Sequence, residues 1–219
     1  MSKRRPSSGR WLQEHHEDPY VLRARREGYR SRAAYKLLEI DAELQQKSGK
    51  KSGLLRPGMT VVDLGAAPGG WSQVAVKLVG KTGRIIAVDL LAMEPIVGGV
   101  VFQGDFLDDA VLDQVVQALA PKGRADLVLS DMAPNMSGFK NADMARGELL
   151  AEAAFAFIEQ VLEPGGATVI KLFQGTGFHE MVKQARTLFD RVKVVKPNAS
   201  RARSSEHYLL GLGYKGQET

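Results

Sequence analysis

Five polar side chains close or interrupt apolar runs in this chain. VVD ends at Asp63, IIAVD at Asp89, VFQGD at Asp105 and LVLSD at Asp131, while Lys171 sits within VIKLF. A single aspartate at such a place is an ordinary helix cap or turn residue. Four of them at successive run ends, with a lysine among them, describe one edge of a sheet lined with carboxylates. A carboxylate can accept two hydrogen bonds, so Asp89, 24 residues beyond Gly65, suits the paired hydroxyls of a ribose.

The stretch VVDLGAAPGGWS (61–72) narrows the ligand. A dinucleotide fingerprint needs G-x-G-x-x-G, so that pyrophosphate can reach a helix N-terminus. Here the glycines are Gly65, Gly69 and Gly70, and Ala67 stands where the second should be. Pro68 stiffens the turn, Gly69 and Gly70 allow close backbone approach, and Trp71 supplies a wall. An acid-rich pocket repels pyrophosphate and favours a cation. S-adenosylmethionine, with sulfonium and ammonium charges and no phosphate, therefore fits better than a nicotinamide dinucleotide, and a Rossmann oxidoreductase is disfavoured.

These residues need a scaffold, and the hydrophobic pattern supplies one. Short β-branched runs at 59–63, 84–89, 100–103, 126–131, 167–173, 191–196 and 207–213 alternate with helical patterns near 71–79, 108–119, 144–162 and 178–189. A further helix is expected over 33–44, before the polar break KSGKKSG. Alternation of this kind predicts an α/β fold: a mostly parallel sheet with helices on both faces, binding ligands at the carboxyl ends of its strands. About ten residues, with Pro197 among them, separate the last two strands, too few for a helical crossover, so one of them should run antiparallel.

Composition bounds the rest. The 219 residues suit one large domain, and 44% apolar content is enough for a sizeable core. No run approaches a transmembrane length, the N-terminus lacks a signal-peptide core, and there are no cysteines. A cytoplasmic protein is expected. Residues 1–36 carry ten basic and four acidic side chains, whereas the other 183 carry a net charge of −1. This division predicts a basic N-terminal arm, partly flexible, over 1–36, and a single domain over 37–219. A polyanion is its natural partner. Trp11, Tyr20, Tyr29 and Tyr35 are interleaved with the arginines and could stack on bases or dock the arm. His15 and His16 have no second ligand cluster to join, so no metal is expected.

VVDLGAAPGGWSQ, AVDLL, QGDF, SDMAPNMSG, VIKLFQG and SRARSSEHY, with RWLQEH and GYRSRAAYKL before them, resemble the FtsJ-type ribose 2′-O-methyltransferases in family order, from about Gly9 to Gly213. The resemblance implies a Rossmann-like class I S-adenosylmethionine-dependent fold with seven strands, and methylation of a uridine in the A loop of 23S rRNA in the large ribosomal subunit. By motif, it places a catalytic Lys-Asp-Lys-Glu set on Lys36, Asp131, Lys171 and Glu206. It places cofactor contacts on Gly69, Trp71, Asp89, Asp105 and Asp131. SGKKSG and FKNAD, the latter in the loop after Asp131, depart from the family pattern.

A hydroxyl acceptor benefits from a base, and Lys171 is the candidate. A free lysine is protonated at neutral pH, so this role needs burial and a like charge such as Lys36, while Asp131 and Glu206 oppose the shift. The alternative keeps Lys171 charged, as a positioning group. Asp131 begins DMAPN, without the aromatic typical of amino-methyltransferases, and no cysteine serves pyrimidine C5 chemistry. Arg30 and Arg32, with Arg23, Arg25 and Arg26 before them, are expected to contact phosphates. So is a second basic set, Arg191, Lys193, Lys196, Arg201 and Arg203. The rivals are a tRNA ribose methyltransferase and an RNA-binding ribosome-assembly factor. A monomer is expected.

Overall fold

The computed structural model describes residues 17–48, 53–134, 137–175 and 177–216. Seven strands form one sheet in the order β3-β2-β1-β4-β5-β7-β6. They are β1 (Thr60–Leu64), β2 (Arg84–Asp89), β3 (Gly99–Gln103), β4 (Ala125–Ser130), β5 (Leu162–Phe173), β6 (Phe189–Val195) and β7 (Glu206–Tyr214). The first five run parallel, and β7 lies antiparallel to both β5 and β6. The antiparallel strand expected from the short final connection is therefore β7.

Among the described residues there are six helices: α1 (Pro19–Glu27), α2 (Ala33–Ser48), α3 (Gly70–Val79), α4 (Asp109–Gln117), α5 (Lys140–Val161) and α6 (Phe178–Leu188). Successive strand residues point to opposite faces, which divides the core in two. Val61, Leu129 and Tyr208 pack with α2 and α3, whereas Val62, Val128 and Leu209 pack with α4, α5 and α6. β5 begins five residues earlier than the sequence pattern suggests. Its extra turn-like start contains Gly165, at φ 82°, and the register with β4 shifts between Ala125 and Leu127.

Within the basic N-terminal segment, residues 17–36 are more structured than their charge implies. Asp18 caps α1 by accepting from the Tyr20 N–H at 2.9 Å, Pro19 occupies the first turn, and Gly28 closes the helix at φ 75°. These are ordinary start and stop signals. Tyr20 and Tyr29 each pack against Tyr35, with ring centroids 5.6 Å apart. Position 36, the expected end of the arm, falls inside α2, where Ala34 and Leu37 are both fully buried. The apolar face of α2 belongs to the core, so the helix cannot be divided there. Trp11, His15 and His16 lie outside the described residues.

Candidate active site

The carboxyl ends of β1, β2, β3 and β4 surround a cavity of about 310 Å³. Gly65, Ala67, Asp89, Asp105, Phe106 and Asp131 line it, and among the described residues no lysine or arginine does. Local backbone requirements shape its floor. Gly65 adopts φ +72°, and a Cβ there would stand 2.9 Å from the Met132 Cα, so only glycine fits. The Asp89 carboxylate accepts from the Ala67 N–H and the Leu91 N–H, each at 2.8 Å, which fixes its orientation at the rim.

Asp63, beneath this floor, is fully buried. One oxygen accepts from the Ser72 hydroxyl at 2.5 Å, and the other has no hydrogen-bond partner. Burial pushes the Asp63 carboxyl up to about 7 against the pull of Ser72, and the charges of Asp131 and Asp89 add to the rise. The residues fit a cationic nucleoside: three carboxylates face an otherwise apolar cavity, a glycine cradle excludes side chains, and an orphaned buried carboxylate oxygen lies below. Asp89, Asp105 and Asp131 would hold S-adenosylmethionine here.

Beside the cavity, side chains far apart in sequence make one continuous chain of contacts. Glu206 Oε1 lies 2.8 Å from Lys36 Nζ, and Lys36 donates to the Tyr208 hydroxyl at 2.9 Å. Tyr208 donates to Asp131 Oδ1 at 2.8 Å. Lys171 Nζ reaches the same carboxylate oxygen at 2.8 Å and donates to the Asp131 carbonyl at 2.6 Å. Sheet register produces this alignment. Lys171 pairs with Tyr208 and Phe173 with Glu206 across the antiparallel β5–β7 ladder, so Lys171, Tyr208 and Glu206 share one face. Lys36, only 8% exposed, reaches in from α2.

The electrostatics follow from these contacts. Burial alone would raise the Asp131 carboxyl, but the nearby Lys171 and Lys36 charges outweigh it and hold the group below its ordinary value. Glu206 is likewise lowered, with Lys36 overcoming burial. Burial drives Tyr208 well above its ordinary value, and Asp131 and Glu206 reinforce it, so it stays a neutral hydroxyl that can both accept and donate.

The four residues Lys36, Asp131, Lys171 and Glu206 are thus brought together, and Asp131 also joins Asp89 and Asp105 at the cavity. The other expected site residues are placed differently. Trp71 is 2% exposed and packs in the core. Its indole donates to the Ala33 carbonyl at 2.8 Å and its ring packs on Tyr208 at 5.5 Å, so it supports the cluster from behind and does not line the cavity. Gly69, at φ +106°, lies under Arg30 and Met93. Arg30 ties the turn to the segment after β2, donating to the carbonyls of Pro68 (3.3 Å), Glu94 (2.7 Å) and Pro95 (2.8 Å). Arg32 binds the Asp18 carboxylate and the Ala199 carbonyl, and Arg201 approaches the same carboxylate at 3.8 Å. Arg203 is exposed in the loop before β7. Sequence reasoning missed Tyr208. Its signal is its place two residues after Glu206 in SEHY, hence on the same face of a strand.

The FtsJ-like methyltransferase family model matches residues 29–214. The chain is 62% identical to the ribosomal RNA large subunit methyltransferase E of Magnetococcus marinus, covering 99% of this chain and all of that protein. It is 52% identical to the protein of the same name from Pseudomonas paraeruginosa, over 98% of this chain and 99% of the relative. Among solved structures, a ribosomal RNA methyltransferase from Plasmodium falciparum superposes with a TM-score of 0.72 at 29% identity, over 86% of this chain and all of that one. Aeropyrum pernix fibrillarin, crystallised with natively bound S-adenosyl-L-methionine, shares the fold at a TM-score of 0.53 and 16% identity, over 82% of this chain and 76% of its own.

Proposed function

The chain belongs to the FtsJ-like methyltransferase family, and from this we propose that it methylates a ribose 2′-oxygen of 23S rRNA in the large ribosomal subunit, at a uridine of the A loop. The methyl donor we propose is S-adenosylmethionine, and the setting is the cytoplasm, where the protein acts as a monomer. One observation carries the reading. Asp131 belongs both to the acid-lined cavity and to the Glu206–Lys36–Tyr208–Asp131–Lys171 chain, so the donor site and the proton-handling site share a wall. The names of the relatives support the ribosomal substrate.

S-adenosylmethionine, when bound, supplies an electrophilic methyl group on its sulfonium. The protein's own part is to orient the hydroxyl and manage its proton. Lys171 has two acceptors on Asp131, the carbonyl and Oδ1. To act as base, Lys171 first releases its own proton to solvent; the neutral amine then has two N–H groups, and those acceptors use both. Its lone pair is then free for the 2′-hydroxyl proton, and base assistance of this kind contributes roughly 10²–10⁴-fold. Lys36 and Glu206, fixed by Tyr208 and α2, hold the ribose so that its oxygen is aligned for attack.

Arg30, Arg32, Arg201 and Arg203 are the proposed phosphate contacts. The Arg30, Arg32 and Arg201 guanidinium groups, held by Asp18 or by backbone carbonyls, are oriented before RNA arrives. Binding should therefore weaken steeply with salt. The test is transfer of a labelled methyl group to unmodified large subunits and, separately, to unmodified tRNA, with the label mapped. Label on a 23S rRNA 2′-oxygen, lost with Lys171→Ala, supports the reading. Label on tRNA alone would keep the chemistry and replace the substrate. No label on either, with the cofactor bound, would favour an assembly factor.

A further inference from the structure

The loop joining β4 to α5 ends in Ser137, Gly138 and Phe139, and its phenyl ring faces water. Phe139 is 76% exposed, and every other aromatic side chain among the described residues is buried or half-buried. A ring left in water is ordinarily collapsed against a neighbour or carried on loose chain. This one is on braced chain. Asp143, 4% exposed in the first turn of α5, accepts from the Ser137 N–H at 2.8 Å, the Ser137 hydroxyl at 2.6 Å and the Gly138 N–H at 3.0 Å. The Ser137 hydroxyl in turn accepts from the Phe139 N–H at 3.3 Å, and Gly138 makes the turn at φ 87°. The backbone that carries the ring is therefore held to the first turn of α5.

That position lies on the sheet edge that carries the site. The loop starts at Asp131, whose N–H bonds to the Leu64 carbonyl at 3.1 Å, and seven residues separate Asp131 from Phe139. The helix that follows is tied to the segment after β5, with Glu148 accepting from the Gly177 N–H at 2.7 Å. Phe139 thus stands on the same sheet edge as Lys171 and Glu206. It is also alone. The next exposed large apolar side chain along α5 is Leu149, ten residues further and so about 15 Å away. A protein-docking surface needs a contiguous apolar patch. A nucleobase needs only one flat ring, because every base offers a π face and unpaired RNA bases are exposed for stacking.

We infer that Phe139 is a substrate-positioning residue that stacks on an unpaired base next to the acceptor nucleotide. The inference rests on the RNA-methyltransferase reading above. Stacking adds affinity for the RNA without entering the proton-transfer step, so it acts on KM and leaves kcat unchanged.

The experiment is steady-state methyl transfer to unmodified large ribosomal subunits by wild type, Phe139→Ala, Phe139→Leu and Phe139→Trp, with thermal melts confirming equal folding. Stacking predicts that Ala and Leu both raise KM, by roughly tenfold, at constant kcat, while Trp keeps the wild-type KM. If Leu retains the wild-type KM and only Ala loses it, the ring fills an apolar protein pocket and the inference is overturned. Equal KM for all four proteins overturns it as well, and so does a fall in kcat with KM unchanged. Wild-type protein that transfers no methyl group to subunits rejects the parent reading, and the stacking role with it.

Discussion

The two halves of the site are assembled on opposite plans. The proposed cofactor half is local: Asp63, Gly65, Asp89 and Asp105 follow one another at the carboxyl ends of β1, β2 and β3, and its shape comes from a glycine at φ +72° and from backbone N–H groups that orient Asp89. The proposed proton-handling half is long-range. Lys36 meets Tyr208 across 172 positions of sequence, and Tyr208 meets Asp131 across 77. A local turn forms a cavity wherever the motif folds. A cluster drawn from α2, β4, β5 and β7 exists only when the sheet register is correct. Damage to the first half should therefore appear in cofactor affinity, and damage to the second in turnover.

Lys171→Ala tests that separation most severely. Turnover should fall by roughly 10³-fold, within the range of general base catalysis, while cofactor affinity by titration calorimetry stays within a factor of two or so of wild type. A variant that no longer binds the cofactor would show that the halves are one unit. Asp89→Ala probes the other side. Losing a carboxylate held by two N–H groups should weaken cofactor binding by roughly 10–100-fold, the scale of charge-assisted hydrogen bonds, with kcat at saturation unchanged. A parallel drop in saturated kcat would mean that Asp89 also aligns the reacting groups.

Tyr208→Phe tests the bridge within the second half. It removes the hydroxyl that links Lys36 to Asp131 but keeps the ring that packs on Trp71. Loss of one buried hydrogen-bond relay should lower kcat by about tenfold, with little change in KM. Unchanged turnover would show that the direct Lys36–Glu206 and Lys171–Asp131 pairs position the ribose by themselves.

Legibility in the sequence follows the same division. The strands carrying Asp63, Asp89 and Asp131 were readable within about one residue at most ends, because β-branched runs closed by acids are local signals. The Lys-Asp-Lys-Glu set was reachable only through family resemblance, since nothing near Lys36 indicates a partner in β7. Trp71 shows the limit within the local half. A large apolar residue after a glycine turn can wall a cavity or fill a core, and only its hydrogen bond to Ala33 of α2 decides for the core. α1 was masked by its arginines, although Asp18, Pro19 and Gly28 are helix start and stop signals.

Asp63 and Asp131 give the finest test, because they are carboxylates on adjacent strands pushed in opposite directions. Asp131 is lowered, so it contributes stability above the ordinary carboxylate value and that contribution is lost as pH falls. Asp63 is raised to about 7, so between its unfolded value near 4 and about 7 the folded state holds a proton that the unfolded state has released. Stability must then decline as pH rises through this window and level off above it. Asparagine resembles the protonated acid in shape and can still accept from Ser72. Asp63→Asn should therefore remove the decline, and relative to wild type it should gain about 1 kcal/mol between pH 6 and pH 7, read from denaturant titrations at each pH. Parallel stability curves would show that Asp63 is already ionised in the folded protein, and that a cation or water in the cavity above it satisfies its second oxygen.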